Sequence, residues 1–148
     1  MKALHHRDWK SRIRKKDGGE KEFLQVERLK CDHCCRLHTA LPSILTPFKH
    51  YETEVIAGVL DAVVQPDDLD DESYPSEITM KRWRYWLMIN LLYINGRLKS
   101  DGYLKFGFSE SLLLSESSLL DELRLIRQDW LETILRFIYN LSGFLVPA

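Results

Sequence analysis

The residues best suited to chemistry in this sequence are three cysteines and two histidines that lie within eight positions, at 31–38. Cys31 and Cys34 have the C-x-x-C spacing, which allows two thiolates from one tight turn to bind the same tetrahedral metal ion. A structural zinc site needs two further ligands. The candidates near the pair are His5, His6, His33, Cys35 and His38. Without a second cysteine pair, the same residues also fit two reduced thiols at the end of a strand, so both interpretations stay open.

A β-hairpin is predicted directly before the cysteines. The segment SRIRKKDGGEKEFLQVERLK contains Asp17, Gly18 and Gly19, which supply the positive-φ positions of a tight turn between two arms. The second arm ends on Cys31. A hairpin strand that leads into a cysteine pair is how zinc ribbons are built, so the hairpin favours the metal interpretation.

A long helix with a basic first half is predicted further along, with Ser76 as its N-cap. Lys81, Arg82 and Arg84 lie in its first turns, and the apolar spacing in YETEVIAGVLDAVV predicts a shorter helix before it. Such a pair is typical of a helix-turn-helix, whose second helix enters the major groove of DNA. The linking loop of about ten residues exceeds the usual three or four. A solvated basic face on a core helix is therefore the alternative.

The second half of this helix, from Trp86 onward, is apolar nearly all round, so we expect it to be buried, with Gly96 at its far end. Apolar stripes predict two more helices, near residues 118–126 and 130–139. The sequence therefore predicts an α+β protein in which an N-terminal zinc-ribbon-like β-hairpin is followed by a mostly α-helical body. The expected segments are the hairpin at 1–46, a helix-turn-helix-like pair at 47–100 and C-terminal helices at 101–148, which share one core.

The charges are segregated along the chain, although the formal net charge is only -1. Residues 1–50 hold 12 Lys/Arg against 6 Asp/Glu, and residues 51–80 hold none against 9. Residues 81–105 again are basic, with 6 against 1. Two basic segments separated by an acidic one predict a polyanionic partner for the basic parts.

Several classes of protein are disfavoured. A chain of 148 residues with 45% hydrophobic and 29% charged residues is typical of a globular protein. It has no apolar run of the roughly 20 residues that span a bilayer and no secretory leader pattern, so we expect it in the cytoplasm. The acidic tract at 67–72 is typical of a solvated loop, and no nucleophile motif or phosphate-binding glycine loop is present. We therefore expect a protein that is not an enzyme.

The motifs together resemble a known bacterial family. VERLKCDHCCRLHTALPSILTPFKHYETEVIAGVLDAVV, followed by YPSEITMKRWRYW, is similar to short proteins of unknown function that accompany, or form the N-terminal part of, transposase-like proteins. The family pattern is R-x-x-C-x-x-C-G-R-x-H, then L-P-x-x-L-x-P-x-K-x-Y, then S-x-x-T-x-x-R-W. The matching residues are Arg28, Cys31, Cys34, Arg36, His38, Leu41, Pro42, Leu45, Pro47, Lys49, Tyr51, Ser76, Thr79, Arg82 and Trp83.

The resemblance implies a zinc-ribbon-like segment and a helix-turn-helix-like segment. It also implies an earlier C-P-x-C knuckle, which this sequence lacks, and a glycine at the position of Cys35. The expected metal ligands are Cys31, Cys34 and His38, which would hold zinc at an incomplete site.

The expected function is non-catalytic DNA binding associated with a mobile element or transposase. The expected DNA-binding residues are Lys81, Arg82 and Arg84 in the helix, with Arg12, Arg14, Lys15 and Lys16 in the hairpin. The expected partners are DNA, a transposase or a second copy of the chain, and no membrane. The alternative is an accessory or remnant protein-interaction module that does not bind DNA.

Overall fold

In the computed structural model, which describes residues 3–16, 20–47, 49–63 and 75–148, the chain begins with an antiparallel sheet of three strands. The strands are β1 (Leu4–Lys15), β2 (Lys21–Cys31) and β3 (Leu37–Thr39), in the order β1-β2-β3. A helical body follows, so the predicted α+β class is confirmed. The predicted turn at 17–19 and the acidic tract at 67–72 lie outside the described residues.

The long hairpin of β1 and β2 runs in register from Leu4 opposite Cys31 to Lys15 opposite Lys21, with a bulge between His6 and Asp8. Alternate residues of a strand point to opposite faces. The short strand β3 pairs with the end of β2 and places His38 opposite Leu29. The sheet is therefore widest beside the cysteines.

The hairpin is attached to the body near Lys15, at the end of β1. The connector after β3 forms a parallel bridge from Lys15 to Tyr51 and an antiparallel bridge from Leu45 to Glu52. Leu45 is buried. The connector thus joins the Lys15 end of the hairpin to the start of the first helix.

The body contains six α-helices in the described part of the chain. They are α1 (Thr53–Leu60), α2 (Glu77–Arg97), α3 (Tyr103–Phe106), α4 (Glu110–Leu114), α5 (Leu119–Ile126) and α6 (Trp130–Asn140). Their apolar faces form one core around Ile56, Trp83, Leu120, Trp130 and Ile138. The two C-terminal helices begin and end within a residue of their predicted bounds. None of the helices in this described part combines the length and apolarity needed to cross a bilayer.

Helix α2 begins as predicted and ends at Arg97, one residue beyond Gly96, but the chain stays helical after it. The Ser76 hydroxyl accepts the backbone N–H of Thr79, which is the expected N-cap. Beyond Arg97 the chain continues through a π-helical turn (Leu98–Gly102) into α3, and Gly107 ends it at φ 71°. Gly96 is helical because an isolated glycine weakens a helix by only about 1 kcal/mol relative to alanine, which surrounding packing offsets.

The expectation that the second half of α2 is buried is wrong in part. Met88, Ile89 and Leu92 are exposed, whereas Trp86 and Ile94 are buried. The helix packs on α1 and α5, and its buried residues include Trp83, Trp86 and Ile94. Apolar composition on every side of a helix does not specify which sides have a neighbour.

Candidate metal centre and basic surfaces

Cys31, Cys34 and His38 converge at the end of the sheet. Cys31 is the last residue of β2, Cys34 lies in the turn that follows, and His38 is the central residue of β3. His38 pairs with Leu29, two positions before Cys31, so the two side chains share one face of the sheet. Their ligand atoms and the Cys34 sulfur all lie within 4.8 Å of one another.

The backbone of the turn after Cys31 is closed by hydrogen bonds. The Cys35 N–H donates to the Cys31 carbonyl at 2.9 Å, and the Cys31 N–H donates to the Arg36 carbonyl at 3.1 Å. Cys35 adopts φ 56°, in the left-handed region that favours glycine. Cys35 therefore holds a backbone conformation that glycine would adopt more easily.

The donor set fits zinc at three of four tetrahedral positions. Two thiols and one imidazole are the ligand types of Cys₂His₂ and Cys₃His sites. All three cysteines lie in the described part of the chain, and none of them is in a disulfide. Cys31 is buried, whereas Cys34 and His38 are exposed. A bound ion would therefore be reachable from solvent on one side.

The predicted substitutes for a fourth ligand have other contacts. The His5 Nε2 lies 2.5 Å from a carboxylate oxygen of Asp32, and the His6 Nδ1 lies 2.8 Å from a carboxylate oxygen of Glu27. Neither histidine belongs to the group of three. A fourth ligand of a tetrahedral ion would therefore have to come from outside this group of three.

An ion pair fixes the strands beside the bulge. Arg28 donates to both carboxylate oxygens of Asp8, in one case at 2.6 Å. The hydrogen bonds and charge of Arg28 hold the pKa of Asp8 below its ordinary value of 3.8 and raise the pKa of Arg28. This bidentate pair joins β1 to β2 just before the candidate metal centre.

The four hairpin cations contact neighbouring groups rather than pointing only into solvent. Arg12 donates to the Lys49 carbonyl at 3.1 Å, and Arg14 pairs with both Glu22 and Glu52. The Lys15 ammonium lies 5.0 Å from the centroid of the Tyr51 ring. Lys16 pairs with Glu22 at 3.2 Å, and its hydrogen bond and charge lower the pKa of that carboxyl. The cluster therefore helps attach the hairpin to the connector.

The three cations of α2 have different surroundings. Lys81 and Arg82 are exposed, and Lys81 forms an ion pair with Glu77 at 2.5 Å, which lowers the pKa of Glu77. Arg84 is half-buried and donates from Nε to the Val59 carbonyl at 3.3 Å. The structure therefore brings Lys81 and Arg82 together on an open surface and directs Arg84 towards the end of α1.

Two features were not predicted from the sequence. One is the exposed apolar side of α2, and the other is Asp61, which accepts hydrogen bonds from Arg124 and Trp130. The run of apolar residues in α2 was visible, but its exposure depends on the arrangement of the other helices. Asp61 is one acid among many, and nothing in its neighbours along the sequence distinguishes it.

The fold and the site define an α+β protein with a Cys₂His candidate metal centre at the end of an N-terminal hairpin. The chain belongs to the family described as Domain of unknown function (DUF6431), whose model matches residues 1–83. That range takes in the hairpin, the candidate metal centre, α1 and the first turns of α2. Searches of curated proteins and of solved structures gave no match.

Proposed function

We propose that this is a non-catalytic DNA-binding protein whose hairpin is stabilised by zinc. The observation that carries the proposal is the exposed pair Lys81 and Arg82 in the first turns of the capped helix α2, which packs on α1. Helix-turn-helix proteins contact DNA through the N-terminal residues of a helix that packs on the helix before it. Lys81 and Arg82 would contact phosphates or base edges.

The charges around this pair are compatible with a phosphate partner. The ion pair between Lys81 and Glu77 is on the surface, where such pairs contribute about 0–1 kcal/mol and exchange readily. The N-terminal end of a helix also attracts anions. The hairpin cations Arg12, Arg14, Lys15 and Lys16 would add general electrostatic attraction, although their present contacts reduce it. Arg84 is the weakest of the predicted contacts because it donates to the Val59 carbonyl.

Zinc has a structural role in this proposal. Cys31, Cys34 and His38 would hold the ion, which would fix the end of β2 against β3. Structural zinc sites contribute directly to folding free energy. No reaction step is assigned to the ion.

An association with a mobile element or a transposase is supported by the resemblance of the cysteine, proline and Arg-Trp motifs described above. On this proposal the protein binds DNA beside, or together with, a transposase. Localisation in the cytoplasm is part of the same proposal.

The test is binding to a labelled DNA duplex over a series of salt concentrations, measured by fluorescence anisotropy. The logarithm of the affinity should fall with the logarithm of the salt concentration, with a slope of about -0.9 per neutralised phosphate. Lys81→Ala and Arg82→Ala should each weaken binding and make this slope shallower. Arg136→Ala is the matched control, because Arg136 also forms an exposed i,i+4 pair, with Glu132.

No binding to any duplex at low salt, or binding that does not depend on salt, would contradict the proposal. Unchanged DNA retention in Arg82→Ala would favour the second candidate, a protein-interaction module without DNA binding. The specific observation in its favour is the exposed apolar side of α2.

A further inference from the structure

The side of α2 that faces away from the core is apolar. Tyr85, Met88, Ile89 and Leu92 are 61%, 64%, 57% and 87% exposed. Residues three, four and seven positions apart lie on one side of a helix, so these four form a continuous stripe. We call these residues the outer stripe. The opposite side of α2 contributes Met80, Trp83, Trp86 and Ile94 to the core.

A helix that is apolar on both sides is expected to be covered on both. The exposed fractions of the four side chains place the outer stripe within the range of about 300–600 Å² that the largest apolar patch of a typical monomeric protein covers. The stripe also continues towards the N-terminus as Ile78, which is 67% exposed. Such a patch is typical of an interface.

We propose that the outer stripe pairs with the same stripe of a second copy of the chain, with the two α2 helices antiparallel about a two-fold axis between Met88 and Ile89. In this register Tyr85 packs against Leu92 of the second copy, and the reverse contact follows from the symmetry. The outer stripe of each copy is thus covered by the outer stripe of the other copy.

The positions of the charges favour the antiparallel arrangement. The antiparallel register places Lys81 opposite Gly96 of the second copy, and a Cβ added at Gly96 would meet nothing within 4 Å. The Lys81 side chain therefore has room to reach solvent beyond the end of the outer stripe. A parallel pair would instead place Lys81 and Arg82 beside their own equivalents, where like charges repel.

The area of the stripe predicts a weak dimer. Stable specific complexes bury about 800 Å² on each partner. The outer stripe with its rim reaches part of that value, so we expect a reversible dimer whose dissociation constant is about micromolar rather than nanomolar. This inference goes beyond the proposed function and does not depend on it, because dimer formation is measured without DNA.

The experiment is sedimentation velocity of the full chain over a wide range of protein concentration. The parent protein should shift from monomer to dimer, and Leu92→Glu should stay monomeric at every concentration. Leu125→Glu is the matched control, because Leu125 is an equally exposed leucine on α5 at 81% exposure, and it should dimerise like the parent. Circular dichroism and thermal unfolding should show that both variants remain folded.

A second variant tests the direction of the two helices. In the antiparallel register, Tyr85→Lys combined with Leu92→Glu creates two complementary charge pairs across the axis, so dimerisation should return. In a parallel pair each introduced charge would face its own equivalent, and no rescue would occur. A parent protein that is monomeric throughout, or a Leu92→Glu variant that dimerises normally, would overturn the proposal, and absence of rescue would overturn its antiparallel geometry.

Discussion

The carboxylate of Asp61 accepts a hydrogen bond from the indole N–H of Trp130 at 2.8 Å, which ties the end of α1 to the start of α6. The other carboxylate oxygen of Asp61 accepts from Arg124 of α5 at 2.8 Å. The Arg124 guanidinium also lies over the Trp130 ring, 4.8 Å from its centroid. One acid therefore joins three helices of the body.

Replacing Asp61 should destabilise the fold through Trp130, which is only 1% exposed. Asp61→Ala leaves the indole N–H without this acceptor, and an unsatisfied buried polar group costs about 1–3 kcal/mol. Asp61→Asn keeps an acceptor and should cost less. Urea unfolding measures the difference. Asp121→Ala, which removes a more exposed partner of Arg124, should change the free energy of unfolding by no more than about 0.5 kcal/mol.

Zinc binding should depend on the group of three ligands. Added zinc should raise the melting temperature of the parent protein, because a ligand that binds only the folded state stabilises it. Cys34→Ser and His38→Ala should lose most of this rise, whereas His33→Ala should keep it. Elemental analysis of the purified protein gives the stoichiometry.

The stoichiometry identifies how the fourth position is filled. About one zinc per chain requires a ligand beyond the three residues, and one zinc per two chains indicates a site completed by a second copy. A full zinc response in both Cys34→Ser and His38→Ala would contradict the assignment of the site.

Cys35→Gly should stabilise the protein. The left-handed region costs an L-residue about 1–2 kcal/mol, and glycine avoids this cost. Glycine also loses more conformational entropy on folding, which cancels part of the benefit, so we expect the free energy of unfolding to rise by about 0.5–1 kcal/mol. Zinc affinity should be unchanged because Cys35 is outside the group of three. Ala62→Gly, at φ 57°, is the comparison and should give a similar gain away from the metal centre. If Cys35→Gly lost zinc affinity and Ala62→Gly did not, Cys35 would be identified as a ligand.

The parts of the fold that could be predicted are those coded by local periodicity. Ser76 caps α2 as expected because its hydroxyl needs only a backbone N–H three residues ahead. The apolar stripes of α5 and α6 gave their bounds because both helices bury one side. The hairpin up to Cys31 was also predicted, and the proximity of Cys31, Cys34 and His38 agrees with the predicted ligand set.

The parts that could not be predicted depend on the tertiary arrangement. Strand β3 has three residues, which is too few for a period-two pattern, and it forms because β2 offers an edge beside Leu29. Arg84 was expected on the basic surface, but its contact with Val59 follows from the way α1 lies on α2. Met88 and Leu92 were expected in the core because α2 is apolar nearly all round. The expectation was wrong because composition does not reveal which side of a helix lacks a neighbour.

The ion pair of Asp8 and Arg28 should make stability sensitive to acid. Because Arg28 lowers the pKa of Asp8 in the folded state, the unfolded chain binds a proton first as the pH falls. The stabilisation is present above pH 3.8 and is lost as the pH falls through the lower pKa of the folded state. Arg28→Gln should lower stability at neutral pH and flatten its dependence on pH in this acidic range.

Urea unfolding of the parent and of Arg28→Gln at a series of pH values measures this effect. Arg127→Gln is the control, because Arg127 forms a comparable surface pair with Asp129 outside the hairpin and lowers the pKa of that carboxyl in the same way. Arg28→Gln should reduce zinc affinity as well, whereas Arg127→Gln should not. If the free energy of unfolding of the parent and of Arg28→Gln depended on pH identically, the ion pair would not be the cause of the acid sensitivity.

The bridge between Lys15 and Tyr51 holds the hairpin at the end where Lys15 pairs with Lys21, whereas Cys31 lies at the opposite end of strands that are about 35–40 Å long. We expect the hairpin to open first at the cysteine end, which lies away from the bridge to Tyr51. Amide hydrogen exchange should then be faster at the ends of β1 and β2 than in α2 and α6. Zinc should slow exchange at this end alone, so the metal would control local order without changing the exchange of the helical core.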